Sequence, residues 1–240
     1  MKEKLYTIPV NEAYNDDNEC PVCYMWQQLE DKAINYTMGP SYMEDDVRLV
    51  TDKIGFCSTH LNLMYDHQNR LGLALMLKTH MDNTIKEIEK INSKASKPKT
   101  SFFNKSKEET PLVTYVNKLD NSCFVCDKIN NTFNRYISTI FYLYKNDANF
   151  REKSKNIKGY CTSHYGLLSD LATQNLRGEL LDSFINDINE IYIENMKRVR
   201  DDLDWFIDKF DYRFKDAPWK NSRDALQRSM TKTNKITKEN

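Results

Sequence analysis

Six cysteines and two of the four histidines stand at spacings that suit metal binding. The cysteines form two C-x-x-C pairs, Cys20–Cys23 in CPVC and Cys123–Cys126 in CFVC, and a C-x-x-H pair follows each of them: Cys57–His60 in GFCSTH and Cys161–His164 in GYCTSH. A C-x-x-C turn lets two sulfurs reach one ion, and C-x-x-H in the first turn of a helix supplies two more ligands. Four such ligands close a tetrahedron, the geometry that Zn²⁺ accepts without penalty.

The two sets of ligands are repeated at nearly equal intervals along the chain. Cys57 follows Cys23 by 34 positions, and Cys161 follows Cys126 by 35. This repetition predicts an internal duplication with one structural zinc ion per repeat. The first ion would be held by Cys20, Cys23, Cys57 and His60, and the second by Cys123, Cys126, Cys161 and His164. Closed tetrahedra leave no position for water or substrate, so they argue against a catalytic metal.

Other cysteine chemistries are less well matched to the residues. An iron site or iron–sulfur cluster also uses thiolates, but the histidines favour zinc. Redox dithiols without a metal are a further alternative, although no strand–helix context of the thioredoxin type is visible around CPVC. Covalent haem requires C-x-x-C-H, and Tyr24 and Asp127 occupy the fifth position. Disulfides would suit an exported protein better.

Composition predicts a helical protein without an excess of positive or negative charge. Lys and Arg total 35, as do Asp and Glu, so the even balance disfavours a nucleic acid or an anionic membrane as partner. Only 6 of 240 residues are glycine, which favours helices over sheets. The N-terminus has no apolar segment of signal-peptide length, and no apolar run approaches the roughly 20 residues of a membrane span. We therefore expect a cytoplasmic location.

The pattern of apolar residues predicts an all-α fold with a duplicated helical unit, each copy stapled by its own Cys3His zinc site. The predicted organisation is an N-terminal arm over 1–19, a first unit over 20–91, a mobile basic linker over 92–111, a second unit over 112–215 and a basic, solvated tail over 216–240. The second unit contains one long C-terminal amphipathic helix. The linker carries an aromatic pair, Phe102–Phe103, expected to tuck against the fold.

Two apolar patterns predict buried surfaces. In the first unit, a stripe at helical spacing is expected to face the core: Leu71, Leu75, Met81, Ile85, Ile88 and Ile91. Near the C-terminus, the KFDYRF segment (209–214) places aromatic residues around Asp211 and Arg213. We expect these aromatic residues to pack on the core, with Asp211 and Arg213 paired to other groups.

The order of these motifs resembles a known family. CPVC, GFCSTH followed by a glycine-containing helix, CFVC, GYCTSH, and then LDWFIDKFDYRF with APW are similar to bacterial proteins catalogued only as a domain of unknown function. The resemblance covers nearly the whole chain except the linker and the extreme tail. It supports the helical fold and the two metal sites and implies no activity; a transporter substrate-binding label carried by some members finds no support in these residues.

The function that these observations favour is a non-catalytic zinc-binding helical protein that acts through a protein partner or through self-association. The alternative is a thiol or zinc redox or metal sensor, because most of the ligands are oxidisable sulfurs. Nucleic-acid binding through the basic linker and tail is a weaker alternative. The sequence lacks a P-loop, G-x-S-x-G and H-E-x-x-H, which disfavours an enzyme. An active site assembled from scattered residues between the two units remains open.

Overall fold

The computed structural model describes residues 4–95 and 109–235. Parts of three predicted segments therefore lie outside the described residues: the start of the N-terminal arm, the end of the basic tail, and most of the predicted linker, including Phe102–Phe103.

The described residues form eleven α-helices and no strand, which confirms the all-α prediction. Two short 3-10 turns, Pro40–Met43 and Tyr212–Phe214, interrupt them. The helices are α1 (Lys4–Asn15), α2 (Pro21–Met38), α3 (Asp45–Ile54), α4 (Ser58–Asp66), α5 (Arg70–Ala95), α6 (Pro111–Asp120), α7 (Phe124–Asn146), α8 (Ala148–Lys155), α9 (Thr162–Asn175), α10 (Glu179–Asp208) and α11 (Ala225–Asn234). Within the described ranges, no helix is both long enough and apolar enough to cross a membrane.

The structure divides the chain differently from the two predicted units. One compact unit, here the terminal unit, combines Met1–Gln28 with Thr132–Asn240. The other, the central unit, is the continuous segment Leu29–Asn131. The boundaries fall inside α2 and α7 rather than in a linker, so the predicted boundaries at 20–91 and 112–215 do not coincide with the compact units.

The core of the terminal unit is built around aromatic residues of α7 and α10. Phe184 of α10 is fully buried between Phe141 and Tyr144 of α7, with ring centroids 5.3 and 4.8 Å away. Tyr14 of α1 packs on Phe150 of α8 at 4.7 Å. These rings alternate with aliphatic residues at helical spacing, which explains why α7 and α10 bury one face each. The packed helices support the starts of α2 and α9, where candidate ligands stand.

In the central unit α5 packs mainly against α3, but not through the predicted stripe. Leu73 and Met76 of α5 are buried, whereas Met81 and Ile85 are 61% and 54% exposed. Leu71 and Leu75 are exposed as well. The prediction that this stripe faces the core is therefore wrong for its first four residues. Helix α5 has apolar residues on more than one face, and the helical spacing of such residues does not indicate which face is buried.

Part of the predicted basic tail is a packed helix. Helix α11 contacts both α9 and α10, and its Ala225 and Lys232 are buried. Arg228 binds Asp202 of α10 through an Nη1···Oδ2 contact of 2.9 Å. The interpretation of residues 216–240 as a solvated tail is thus wrong for this helix, because its basic side chains reach carboxylates and carbonyls of the terminal unit.

The KFDYRF segment is largely exposed, contrary to the expectation that its aromatic residues pack on the core. Phe210 and Tyr212 are 77% and 86% exposed, and Phe214 is half-buried, with its ring 5.6 Å from that of Trp205. Asp211 and Arg213 pair with each other at 2.7 Å. Helix α10 ends at Asp208, and the chain passes through a turn before the 3-10 turn Tyr212–Phe214, so residues 209–214 do not share one helical face.

Candidate metal centres

Four candidate ligands converge in the terminal unit. Cys20, Cys23, Cys161 and His164 are all buried, and their ligand atoms lie within 4.8 Å of one another. Cys20 immediately precedes α2 and Cys23 lies in its first turn, while Cys161 is the N-cap of α9 and His164 lies in the first turn of that helix. We call this group the terminal site. It joins the starts of two helices that are far apart in sequence.

The central unit contains a second group with the same local construction. Cys57 is the N-cap of α4 and His60 lies in its first turn; Cys123 immediately precedes α7 and Cys126 lies in its first turn. The ligand atoms of these four residues also lie within 4.8 Å of one another. We call this group the central site. Its Cys123 and His60 are buried, and its Cys57 and Cys126 are partly exposed.

The structure brings together all eight predicted residues, but it groups them differently from the sequence prediction. Cys20 and Cys23 meet Cys161 and His164, not Cys57 and His60, and the other C-x-x-C meets the C-x-x-H that precedes it in the chain. The predicted grouping within each repeat is therefore wrong. The physical reason is that both motifs specify only local geometry, two ligands on one turn, and any C-x-x-C can complete any C-x-x-H that the fold brings near it.

A glycine with positive φ prepares each C-x-x-H turn. Gly55 has φ +61° and Gly159 has φ +91°, each two residues before the cysteine of its turn. A side chain at Gly55 would be strained by this φ, and its Cβ would lie 2.6 Å from Nε2 of His80. The positive φ of Gly55 and Gly159 thus makes the turns into Cys57 and Cys161.

Hydrogen bonds fix the loops ahead of the ligands. In the central site, the backbone N–H of Phe124 donates to the carbonyl of Gly55 at 3.0 Å, and Oγ of Ser122 donates to the carbonyl of Ile54 at 2.6 Å. The two ligand loops are thus bonded directly to each other. These hydrogen bonds therefore hold the two ligand loops at a fixed spacing without the help of a metal ion.

In the terminal site a lysine performs the same bridging. Nζ of Lys232, on α11, donates to the carbonyl of Glu19 at 2.7 Å and to the carbonyl of Lys158. Glu19 directly precedes Cys20, and Lys158 lies three residues before Cys161. The same ammonium lies 3.1 Å from Oε2 of Glu19, whose carboxylate also accepts from Arg198 at 2.6 Å. Burial lowers the pKa of Lys232, and the Glu19 carboxylate opposes that shift.

The distances between ligand atoms suit a tetrahedral ion of the size of Zn²⁺. Bonds of about 2.3 Å to sulfur and about 2.1 Å to nitrogen place two sulfurs about 3.8 Å apart and a sulfur and a nitrogen about 3.6 Å apart. The sulfurs of Cys23 and Cys161 are 3.6 Å apart, and those of Cys57 and Cys126 are 3.9 Å apart. Sulfur to Nδ1 distances are 3.3–3.5 Å at His164 and 3.2–3.4 Å at His60. The donor set and its spacing therefore fit one such ion per site.

Protons are held unequally among the sulfurs of the terminal site. Hydrogen bonds from Cys20 and Cys23 lower the pKa of Cys161 well below its usual range. Burial raises the pKa of Cys20 to about 12, and the hydrogen bond to Cys161 raises that of Cys23. The backbone N–H of His164 donates to Sγ of Cys161 at 3.4 Å, at the positive end of α9. Of the three thiols, Cys161 therefore gives up its proton most readily, and a bound cation would displace the protons of the other two.

The central site adds a carboxylate behind its histidine. Nε2 of His60 lies 3.2 Å from Oε1 of Glu30, so the carboxylate would hold the ring with Nδ1 facing the sulfurs. Burial alone would lower the pKa of His60, but the contacts with Cys123 and Glu30 raise it to about 10. Burial would raise the pKa of Cys123, yet His60 lowers it to about 6. Burial raises the pKa of Cys126.

Sequence reasoning missed two supporting residues, Glu30 and Lys232. Glu30 lies seven residues after Cys23, in the same helix as the first C-x-x-C, yet it serves the histidine of the other site. Lys232 lies in a segment whose composition is typical of a solvated tail. Neither position carries a local signal, because each residue acts on a ligand or loop that is remote in sequence.

Comparison with known proteins gives a family and no activity. The sequence model described as a family of unknown function, DUF6062, matches residues 1–240. No curated protein and no solved structure matches the chain. The match spans every helix and both candidate metal sites, and the chain therefore belongs to the DUF6062 family of unknown function.

Proposed function

We propose that this chain is a non-catalytic zinc protein in which two closed Cys3His sites hold the fold together. The observation that carries the proposal is the convergence of four protein ligands within 4.8 Å at each site. Three thiolates and an imidazole favour Zn²⁺ over Mg²⁺ or Ca²⁺, which prefer oxygen ligands. A complete set of four protein ligands leaves no open position for a substrate, as expected for structural zinc.

Metal content of the purified protein tests this proposal. Protein prepared without added metal or a histidine tag should contain two zinc ions per chain by elemental analysis. Replacement by Co²⁺ should give, at both sites, the d–d and sulfur charge-transfer absorption of a tetrahedral ion bound by three sulfurs and one nitrogen. A chelator should remove the metal and reduce helicity, because structural zinc contributes on the order of 10 kcal/mol of binding free energy to folding. Iron as the bound metal, or full helicity after complete metal removal, would overturn the proposal.

We also propose that the protein acts by binding another protein chain. The exposed apolar residues of α5 support this step, because Met81 and Ile85 lie less than two turns apart and more than half of each side chain faces solvent. Positive and negative residues are equal in number in the chain, which suits an apolar contact with a partner better than an electrostatic one.

Site-specific photo-crosslinking tests the partner proposal. A photoreactive phenylalanine analogue at Met81 should give a discrete crosslinked species in cells, whereas the same analogue at the exposed Lys86 should not. A product at twice the chain mass would identify self-association, and a different mass would identify another protein. Diffuse or absent crosslinking from both positions would argue against this surface.

A further inference from the structure

The two metal sites are built from the same motifs but differ in how well their sulfurs are protected. At the terminal site every ligand residue is buried, with exposed fractions of 0–4%. At the central site His60 and Cys123 are equally buried, but Cys57 and Cys126 are partly exposed. Oxidation of thiols depends on access of the oxidant to the sulfur. The terminal site is therefore shielded, whereas two of the three cysteines of the central site are less protected.

The two partly exposed cysteines are also neighbours. Sγ of Cys57 and Sγ of Cys126 are 3.9 Å apart. Their loops are held together by the hydrogen bond from Phe124 to Gly55, and each of these two residues lies two positions from one of the sulfurs. A disulfide requires the sulfurs to approach to about 2.05 Å, a movement of about 2 Å that side-chain rotation can provide between adjacent loops.

From this pairing we propose that Cys57 and Cys126 form an oxidation site that reacts with peroxides and closes to a disulfide. One thiolate attacks the peroxide O–O bond, becomes a sulfenic acid and releases water or an alcohol. The second sulfur then displaces the sulfenic hydroxyl as water and forms the S–S bond. The two sulfurs lose two electrons, which reduce the peroxide O–O bond, and the products take up two protons, from the thiols of a metal-free site or from solvent where the thiolates bind a metal.

Oxidation at this pair would remove half of the ligands of the central site. Only His60 and Cys123 would remain, too few to hold a zinc ion in a closed tetrahedron. The central unit would lose its metal while the terminal unit kept its own. This inference rests on the proposed zinc sites for its metal release, but the disulfide itself requires only the two sulfurs.

The test combines metal release with mapping of the cysteines in the whole protein. Hydrogen peroxide is added stepwise, and the released zinc is followed with a chromogenic chelator. The remaining thiols are then blocked, the protein is digested, and the modified cysteines and disulfides are assigned by mass spectrometry. We expect the first zinc equivalent to leave at least about tenfold faster than the second, together with a Cys57–Cys126 disulfide and unmodified Cys20, Cys23 and Cys161. Reduction with a dithiol should restore zinc binding.

Two matched variants isolate the pair. Cys126→His keeps four ligands but removes one sulfur of the pair, so release of the first equivalent should slow to the rate of the second. Cys23→His makes the same change at the corresponding position of the terminal site and should leave the fast phase unaltered. Equal release rates at both sites in the unsubstituted protein, or a first disulfide that excludes Cys57 or Cys126, would overturn the proposal even if the variants failed to fold. A protein without zinc would refute the proposed function, and the disulfide mapping would still decide this inference.

Discussion

The grouping of the ligands can be tested by removing cysteines in pairs. Cys20→Ala combined with Cys161→Ala removes two ligands from one site of the structure, so one metal ion should remain per chain. Cys20→Ala combined with Cys57→Ala removes one ligand from each site, so both should be weakened. The grouping within each sequence repeat makes the opposite prediction for these two double variants.

The size of the effect follows from the number of ligands. Structural zinc sites bind with about 10–16 kcal/mol, so each of four ligands contributes on average about 2.5–4 kcal/mol. Loss of one ligand should then weaken binding by about two to three orders of magnitude, at about 1.4 kcal/mol for each factor of ten. Because each site uses four ligands within 4.8 Å and has no spare donor among them, no remaining ligand of that site can replace the lost sulfur.

A graded challenge with a zinc chelator, followed by removal of the chelator and elemental analysis, measures this directly. At a chelator concentration that leaves both ions on the unsubstituted protein, the single variants Cys20→Ala, Cys57→Ala and Cys161→Ala should each retain one ion. The Cys20/Cys161 variant should also retain one, and the Cys20/Cys57 variant none. One ion on the Cys20/Cys57 variant and none on the Cys20/Cys161 variant would refute the grouping seen in the structure and restore the one within each repeat.

Three further predictions concern stability. Lys232→Met should reduce the free energy of unfolding by about 3–5 kcal/mol in a urea titration, because it leaves the carbonyls of Glu19 and Lys158 without this donor and the Glu19 carboxylate with Arg198 as its cationic partner. Lys197→Met, at an exposed position, should change the free energy of unfolding by less than about 0.5 kcal/mol, and equal effects of the two substitutions would contradict the bridging role. Burial raises the pKa of Tyr144 to about 12, so above about pH 10 the folded protein binds more protons than the unfolded chain and its stability falls as the pH rises. The midpoint of urea unfolding should therefore decrease between pH 10 and pH 12, and it should decrease by less in the Tyr144→Phe variant. Phe210→Ser and Tyr212→Ser should each shift the free energy of unfolding by less than about 0.5 kcal/mol, and a loss above 2 kcal/mol in a thermal or urea melt would show that these rings are buried after all.

Which residues could form the metal sites was readable from the sequence, and how they group was not. C-x-x-C and C-x-x-H each specify an arrangement within one turn, so Cys20 with Cys23 and Cys161 with His164 could be recognised without any tertiary information. Gly55 and Gly159 were readable for the same reason, since a positive φ is a local requirement. The nearly equal spacings of 34 and 35 residues suggested a grouping within repeats, but spacing along the chain carries no information about which helix starts meet.

The errors in the fold have a related origin. Met81 and Phe210 were expected to be buried because apolar residues at helical spacing usually are, yet that spacing does not say which face of α5 meets α3 or where α10 ends. Lys232 was expected to be solvated, yet it lies 1% exposed against carbonyls 213 and 74 positions away. In each case the deciding contact is with a remote segment, and no local propensity reports on it.

The grouping of ligands also bears on what the metals do for the chain. The terminal site joins Cys23 to Cys161 across 138 positions, and the central site joins Cys57 to Cys126 across 69. Sites made within the repeats would have closed segments of only about half or a quarter of these lengths. Closing the longer segments costs more chain entropy, by about 0.6 kcal/mol for each doubling of length, and the ligands of each site come from helix starts that only the folded unit brings together. Metal binding at the terminal site is therefore coupled to the joining of residues 1–28 with residues 132–240, and loss of that metal should release the two ends of the chain from each other rather than loosen a single local turn.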